Sequence, residues 1–112
     1  MSRHDDRATL LHMLEHAREA VGMAEGRKRA DLDADRMLEL ALTRLVEIVG
    51  EAATRLSAEA REVRPGVPWR EIVAMRNRLI HGYDAIDRDI LWEVVARDLP
   101  ALVAELERSA GD

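Results

Sequence analysis

Apolar residues recur at three- and four-residue steps through most of this 112-residue chain. No run alternates with the period of two that a half-buried strand requires. Residues 5–25 carry Leu10, Leu14, Ala17, Val21 and Ala24 on one narrow stripe, edged by Met13 and Ala20, which predicts a first helix. Gly26 suits its end, and Arg27, Lys28 and Arg29 complement the negative pole of its dipole. Asp31 or Asp33 is then placed to cap a second helix of about 20–25 residues. Leu38, Leu42, Leu45, Val49, Ala52 and Leu56 line its centre, with Ala41 and Ile48 widening the stripe on one side and Val46 and Ala53 on the other. A face this broad exceeds what one neighbouring helix covers, so it predicts a core position or a subunit contact, and Gly50 permits close approach. Ser57 caps a short turn to Val63, and Arg64-Pro65-Gly66-Val67-Pro68 is the clearest break. Helical spacing resumes at Trp69 with Pro68 in the first turn and Gly82 at the end. Asp84 or Asp87 caps the last helix, where Leu91, Val95, Leu99, Leu102 and Leu106 align and Pro100 predicts a kink or break near Asp98. The expected architecture is all-α, an antiparallel bundle of four to five helices forming a single domain over residues 1–112.

Composition restricts the class. With no Phe, one Tyr and two Trp, the core must come from Leu, Val, Ile, Ala and Met. The absence of cysteine excludes disulfides and thiolate metal sites and suits a reducing cytoplasm, the compartment expected here. The charged opening residues show no secretory signal, and no apolar run approaches a membrane span. A net charge of −5 argues against a protein that coats nucleic acid. Residues 61–80, however, hold Arg61, Arg64, Arg70, Arg76 and Arg78 against Glu62 and Glu71, or 5 − 2 = +3. That local excess suits a site handling one or a few phosphates.

The densest chemistry lies between Trp69 and Asp84. At about 100° per residue Arg76 falls in the middle of an apolar side made by Trp69, Ile72, Met75, Leu79 and Ile80. A guanidinium keeps its charge, so it needs an anion there, a route to solvent, or a ligand phosphate; Glu51 is one candidate partner. His81 follows at the helix end, then Gly82 and Tyr83. RNA is cut without metal when its 2′-hydroxyl loses a proton and attacks the adjacent phosphorus, which needs a group that moves protons near neutral pH and a fixed cation. Arg76 and His81 make a minimal pair for this, with Asn77 as a neutral donor. On an unbroken helix they point about 140° apart, so they converge only if the helix unwinds at His81 or if two chains share one cleft. The plain alternative is an arginine snorkelling or paired with a glutamate, an ordinary helix-end histidine, and a tyrosine anchoring the turn. His12-Met13-Leu14-Glu15-His16 spells a zinc-binding order, but both histidines fall on the polar side of the first helix without an evident third ligand, and a chance match is expected.

The R-x4-H-x-Y spacing of Arg76, His81 and Tyr83, the text P-W-R-E-I and M-R-N-R-L-I-H-G-Y around it, and the earlier A-L-T-R-L-V-E-I-V-G-E-A-A-T-R-L-S closely resemble the HepT-type toxins of the HEPN superfamily. The resemblance covers nearly the whole chain. It implies a homodimeric, metal-independent endoribonuclease that needs no cofactor, with paired motifs lining a shared cleft. His81 would be the general acid/base, Arg76 the phosphate ligand, Asn77 its support and Arg78 a further contact to RNA phosphate. Tyr83 would be adenylylated by a partner minimal nucleotidyltransferase, the antitoxin of a type VII toxin–antitoxin pair. Ala74 departs mildly, standing where many relatives carry glycine. The alternative is a non-catalytic helical module that docks a nucleotidyltransferase or a nucleotide through the same basic cleft.

Overall fold

Helix α1 (Arg3–Ala24) ends where Gly26 takes a left-handed conformation, with φ of 77°, and turns the chain back. A single-turn α2 (Asp31–Ala34) leads into the long α3 (Arg36–Thr54), and α4 (Ala58–Glu62), α5 (Trp69–Leu79) and α6 (Arg88–Glu93) follow. A π turn over Val94–Asp98 joins α6 to α7 (Leu99–Ala110). The computed structural model describes residues 3–79 and 86–110; Ile80, His81, Gly82, Tyr83, Asp84 and Ala85 lie outside the described residues. Among the described residues all regular structure is helical, as the periodicity predicts.

The caps show how local chemistry sets the boundaries. Asp35, not Asp31 or Asp33, caps α3 by accepting from Leu38 N at 3.1 Å. Asp31 is occupied one turn earlier, accepting from Lys28 N at 2.7 Å, and Asp33 pairs with Arg29 and Arg88. Ser57 caps α4 as expected, and its own hydroxyl and N–H bond Asp6, tying the start of α1 to this turn. Asp87 caps α6. The interruption expected near Pro100 takes the form of the π turn: Leu99 N reaches back five residues to Val94 O, one residue ahead of the ring that has no N–H to give.

Helix α3 lies between α1 and α5, so its broad apolar face is covered within the chain: Leu38, Leu42, Leu45, Val46, Val49, Ala52 and Ala53 are buried. Of the two alternatives that breadth allows, a core position is the one these buried residues occupy. Gly50 stands at the α3–α5 contact, where a methyl group would sit 3.5 Å from the Ile72 carbonyl. Helix α7 packs along α1, with Leu99, Leu102 and Leu106 inward. At the entry to α5, Trp69 Nε1 donates to the carbonyls of Arg61 and Arg64 at 3.0 and 3.1 Å, fastening the first turn to the end of α4.

Among the described residues one carboxylate is buried. Glu39 is 3% exposed and takes hydrogen bonds from Arg88 and, at 2.5 Å, from Arg36. Arg88 also reaches Asp33, which Arg29 shares with Asp89, so the network joins α2 and α3 to the start of α6. The Arg88 hydrogen bond holds the Glu39 carboxyl below its ordinary value against the opposing effect of burial. A depressed folded-state value means that its stabilisation is complete above the unfolded-state value of about 4.3 and is lost as pH falls through the lower folded value. Glu39→Gln is therefore expected to be less stable than the parent near neutral pH, with the difference shrinking in acid. Thermal unfolding scans at stepped pH check this, and a gap that widens below about pH 4 would contradict it.

Candidate functional site

Arg76, Asn77 and Arg78 occupy the last turn of α5 before the described residues end. The buried face of this helix is set by Ile72, Met75 and Leu79, each 0% exposed. Arg76 stands about 60° from the centre of that face at about 100° per residue. It is thus not in the middle of the apolar side. Its side chain is 53% exposed and leans toward α3, with Nε 3.9 Å from Glu47 and Nη1 4.0 Å from Glu51. Trp69 and Ile80 draw the apolar average toward Arg76 in the sequence, whereas packing centres on three residues. The anion anticipated for this guanidinium exists, and it is a pair, of which Glu47 went unnoticed; its position four residues before Glu51 was the available signal.

Those separations decide what the arginine can do. Direct hydrogen bonds from nitrogen to oxygen run about 2.7–3.2 Å, so the two carboxylates attract the guanidinium without occupying its donors. The planar fork stays available to a phosphate, which it matches in bidentate fashion. Asn77 beside it is exposed. Arg78 points to the other flank, half-buried, 3.4 Å from Asp98 and 3.9 Å from Glu93, so the structure does not bring it to Arg76. The basic stretch is likewise no single patch. Arg61 donates to the Ala53 carbonyl and Arg64 to the Ala60 carbonyl, holding helix ends together. His81 and Tyr83 lie outside the described residues, so their placement relative to Arg76 is carried by sequence alone.

The histidines of the zinc-like spacing behave otherwise than as ligands. His12 and His16 stack with ring centroids 4.2 Å apart and planes 13° from parallel, and His16 Nδ1 lies 2.8 Å from the His12 carbonyl oxygen. Among the described residues no three His, Asp or Glu side chains gather as a metal site requires. The same two rings line a groove of about 410 Å³ between α1 and α3, together with Ala8, Thr9, Arg44, Ile48, Glu51, Ala52 and Arg55. Of its polar members, Thr9, Arg44 and Arg55 carry no signal in the sequence, because each lies off the apolar stripe of its own helix.

Comparison with known proteins shows the family. The family described as Ribonuclease HepT-like matches residues 13–109. The chain is 36% identical over 107 residues to "Putative RNase MJ1380" of Methanocaldococcus jannaschii, covering 96% of this chain and 98% of that one. It is 34% identical over 99 residues to "Probable ribonuclease HepT" of Thermococcus cleftensis, covering 85% and 90%. A third relative, "Putative RNase TTE0752" of Caldanaerobacter subterraneus, is 35% identical over 101 residues, covering 90% of each. No solved structure matches. The all-α bundle and the match to this family together define a HEPN-type ribonuclease scaffold. The chain belongs to the HepT-like ribonuclease family. Among the described residues no helix is long and apolar enough to cross a membrane.

Proposed function

We propose that the chain is a metal-independent endoribonuclease, the toxin of a type VII toxin–antitoxin pair, acting through Arg76 and His81 and silenced by adenylylation of Tyr83. The observation that supports it most is the Arg76 guanidinium, oriented by Glu47 and Glu51 yet at distances that leave its donors free. In this reading His81 takes the 2′-hydroxyl proton while the 2′-oxygen attacks the adjacent phosphorus. The bond from phosphorus to the 5′-oxygen breaks, the imidazolium returns a proton to that oxygen, and a 2′,3′-cyclic phosphate and a 5′-hydroxyl result. Arg76 holds the charge that gathers on the phosphorane oxygens, and Asn77 adds a neutral donor.

Two chains supply the cleft. Met37 and Leu40 on α3 are 80% and 52% exposed, and a second copy would cover them. Light scattering at micromolar concentration is expected to give twice the chain mass; a strict monomer would remove the shared cleft. A cognate nucleotidyltransferase transfers AMP from ATP to the Tyr83 oxygen, releasing pyrophosphate, and the added anion occupies the phosphate subsite beside Arg76.

The test is RNA cleavage in EDTA by the whole chain, with the new ends examined for cyclic phosphate. Tyr83→Phe should cleave like the parent, remain unmodified on co-expression with the nucleotidyltransferase, and escape silencing. Absence of cleavage combined with retained nucleotidyltransferase binding would make the chain a docking module instead. An adduct on another residue would return Tyr83 to a structural role.

A further inference from the structure

We propose that the groove between α1 and α3 is a track for the single-stranded RNA flanking the cleaved bond, with Arg44 and Arg55 as phosphate ligands at its two ends. The inference rests on the ribonuclease reading and extends it to a surface that Arg76, Asn77 and Arg78 do not line.

Three observations carry it. Arg44 and Arg55 line the groove, both are exposed, and neither has an ion-pair partner among the described residues. Among the described residues Arg7 and Arg70 share that condition, but neither lines the groove, whereas Arg18, Arg27, Arg29, Arg36, Arg76, Arg78, Arg88, Arg97 and Arg108 all have a carboxylate within 4.0 Å. The one acid in the lining, Glu51, has the Arg76 guanidinium 4.0 Å away, which offsets part of its charge. Between the arginines the groove offers apolar wall from Ala8, Ile48 and Ala52, and the stacked pair His12 and His16. Histidine rings are among the aromatic surfaces on which unpaired RNA bases stack.

Spacing selects the ligand. Arg44 on α3 and Arg55 at its C-cap are eleven residues apart, about 16 Å at about 1.5 Å per residue. A mononucleotide cannot reach both, whereas a strand rising about 3.4 Å per stacked nucleotide spans them with about five. Glu51 belongs both to this groove and to the Arg76 cradle, so a strand lying in the groove arrives beside the guanidinium that would take the scissile phosphate.

Binding is measured with a labelled oligouridylate carrying 2′-O-methyl groups, which cannot be cleaved, at stepped salt concentrations. Each lost phosphate contact on a single strand lowers the salt slope by about 0.7, so Arg44→Ala/Arg55→Ala should reduce its magnitude by about 1.4 and weaken binding. Arg108→Ala, which lies outside the groove, should not. On cleavable RNA the double variant should raise KM for long substrates and leave kcat, and cleavage of a dinucleotide, unchanged. Circular dichroism confirms that the variant is folded. Equal slopes for parent and double variant overturn the proposal. So does a double variant whose oligomeric mass changes while its RNA binding does not, since the groove is then a contact between copies. Binding that depends on the two arginines in a chain that never cleaves RNA would uphold the track and overturn the ribonuclease reading instead.

Discussion

Arg76→Ala and His81→Ala are each expected to slow RNA cleavage about 10²–10³-fold without altering helicity. The expectation for Arg76 follows from its place on the rim of α5. Ile72, Met75 and Leu79 hold that helix to the core, and the Arg76 side chain is 53% exposed, so truncation removes a charge and little packing. In the proposed mechanism what is lost is the cation that meets the developing phosphorane charge. Arg76→Lys should recover only part of the rate, because an ammonium retains the charge but not the paired donors. Single-turnover rates with the parent, both alanine variants and the lysine variant decide the matter. A fully active Arg76→Ala protein would refute the assignment, whatever its fold. Glu47→Gln and Glu51→Gln should act more weakly, through the orientation of the guanidinium.

The largest stability effect is expected at the α3–α5 contact. Ile72→Ala should cost about 2–5 kcal/mol, since the side chain is 0% exposed and truncation leaves a cavity. That is a large share of the about 5–15 kcal/mol typical of a whole domain. Gly50, facing it, should respond in the opposite direction. A methyl group there would lie at 3.5 Å from the Ile72 carbonyl, an ordinary contact, while alanine is favoured over glycine inside a helix by about 0.5–1 kcal/mol. Gly50→Ala should therefore be neutral or mildly stabilising, and Gly50→Val, whose branches pass that carbonyl, should not. Urea unfolding of the three variants reads all of this. A strongly destabilised Gly50→Ala would show the helices closer than described here.

The helices were legible because burial on α1, α3, α5 and α7 follows period 3.6, and Ser57 and Asp87 cap where short polar side chains precede apolar runs. The start of α3 was not, since three aspartates precede it and their division of labour depends on Lys28, Arg29 and Arg88. Pro100 announced a disturbance, but whether the backbone breaks or widens into a π turn depends on the packing of Val94, Val95 and Leu99. Arg76 was recognisable as a residue and misplaced as a position, because a helical wheel weighs all apolar residues equally and packing does not. The α1–α3 groove was invisible for a different reason. Arg44 and His16 belong to separate helices, and only their packing makes one surface of them.

The clamp at the start of α5 has a practical consequence for spectroscopy. Trp69 shares the helix of Arg76, about 10 Å away along its axis, and its indole N–H is fixed to two carbonyls at the end of α4. The chain has no phenylalanine, one tyrosine and, besides Trp69, only Trp92. Under excitation beyond tyrosine absorption its ultraviolet emission therefore comes from two indoles, one of them seated on the helix of Arg76. With Trp92→Phe as the background, the colour of that emission becomes an intrinsic, label-free gauge of whether the helix carrying Arg76 is docked when RNA or a partner protein arrives.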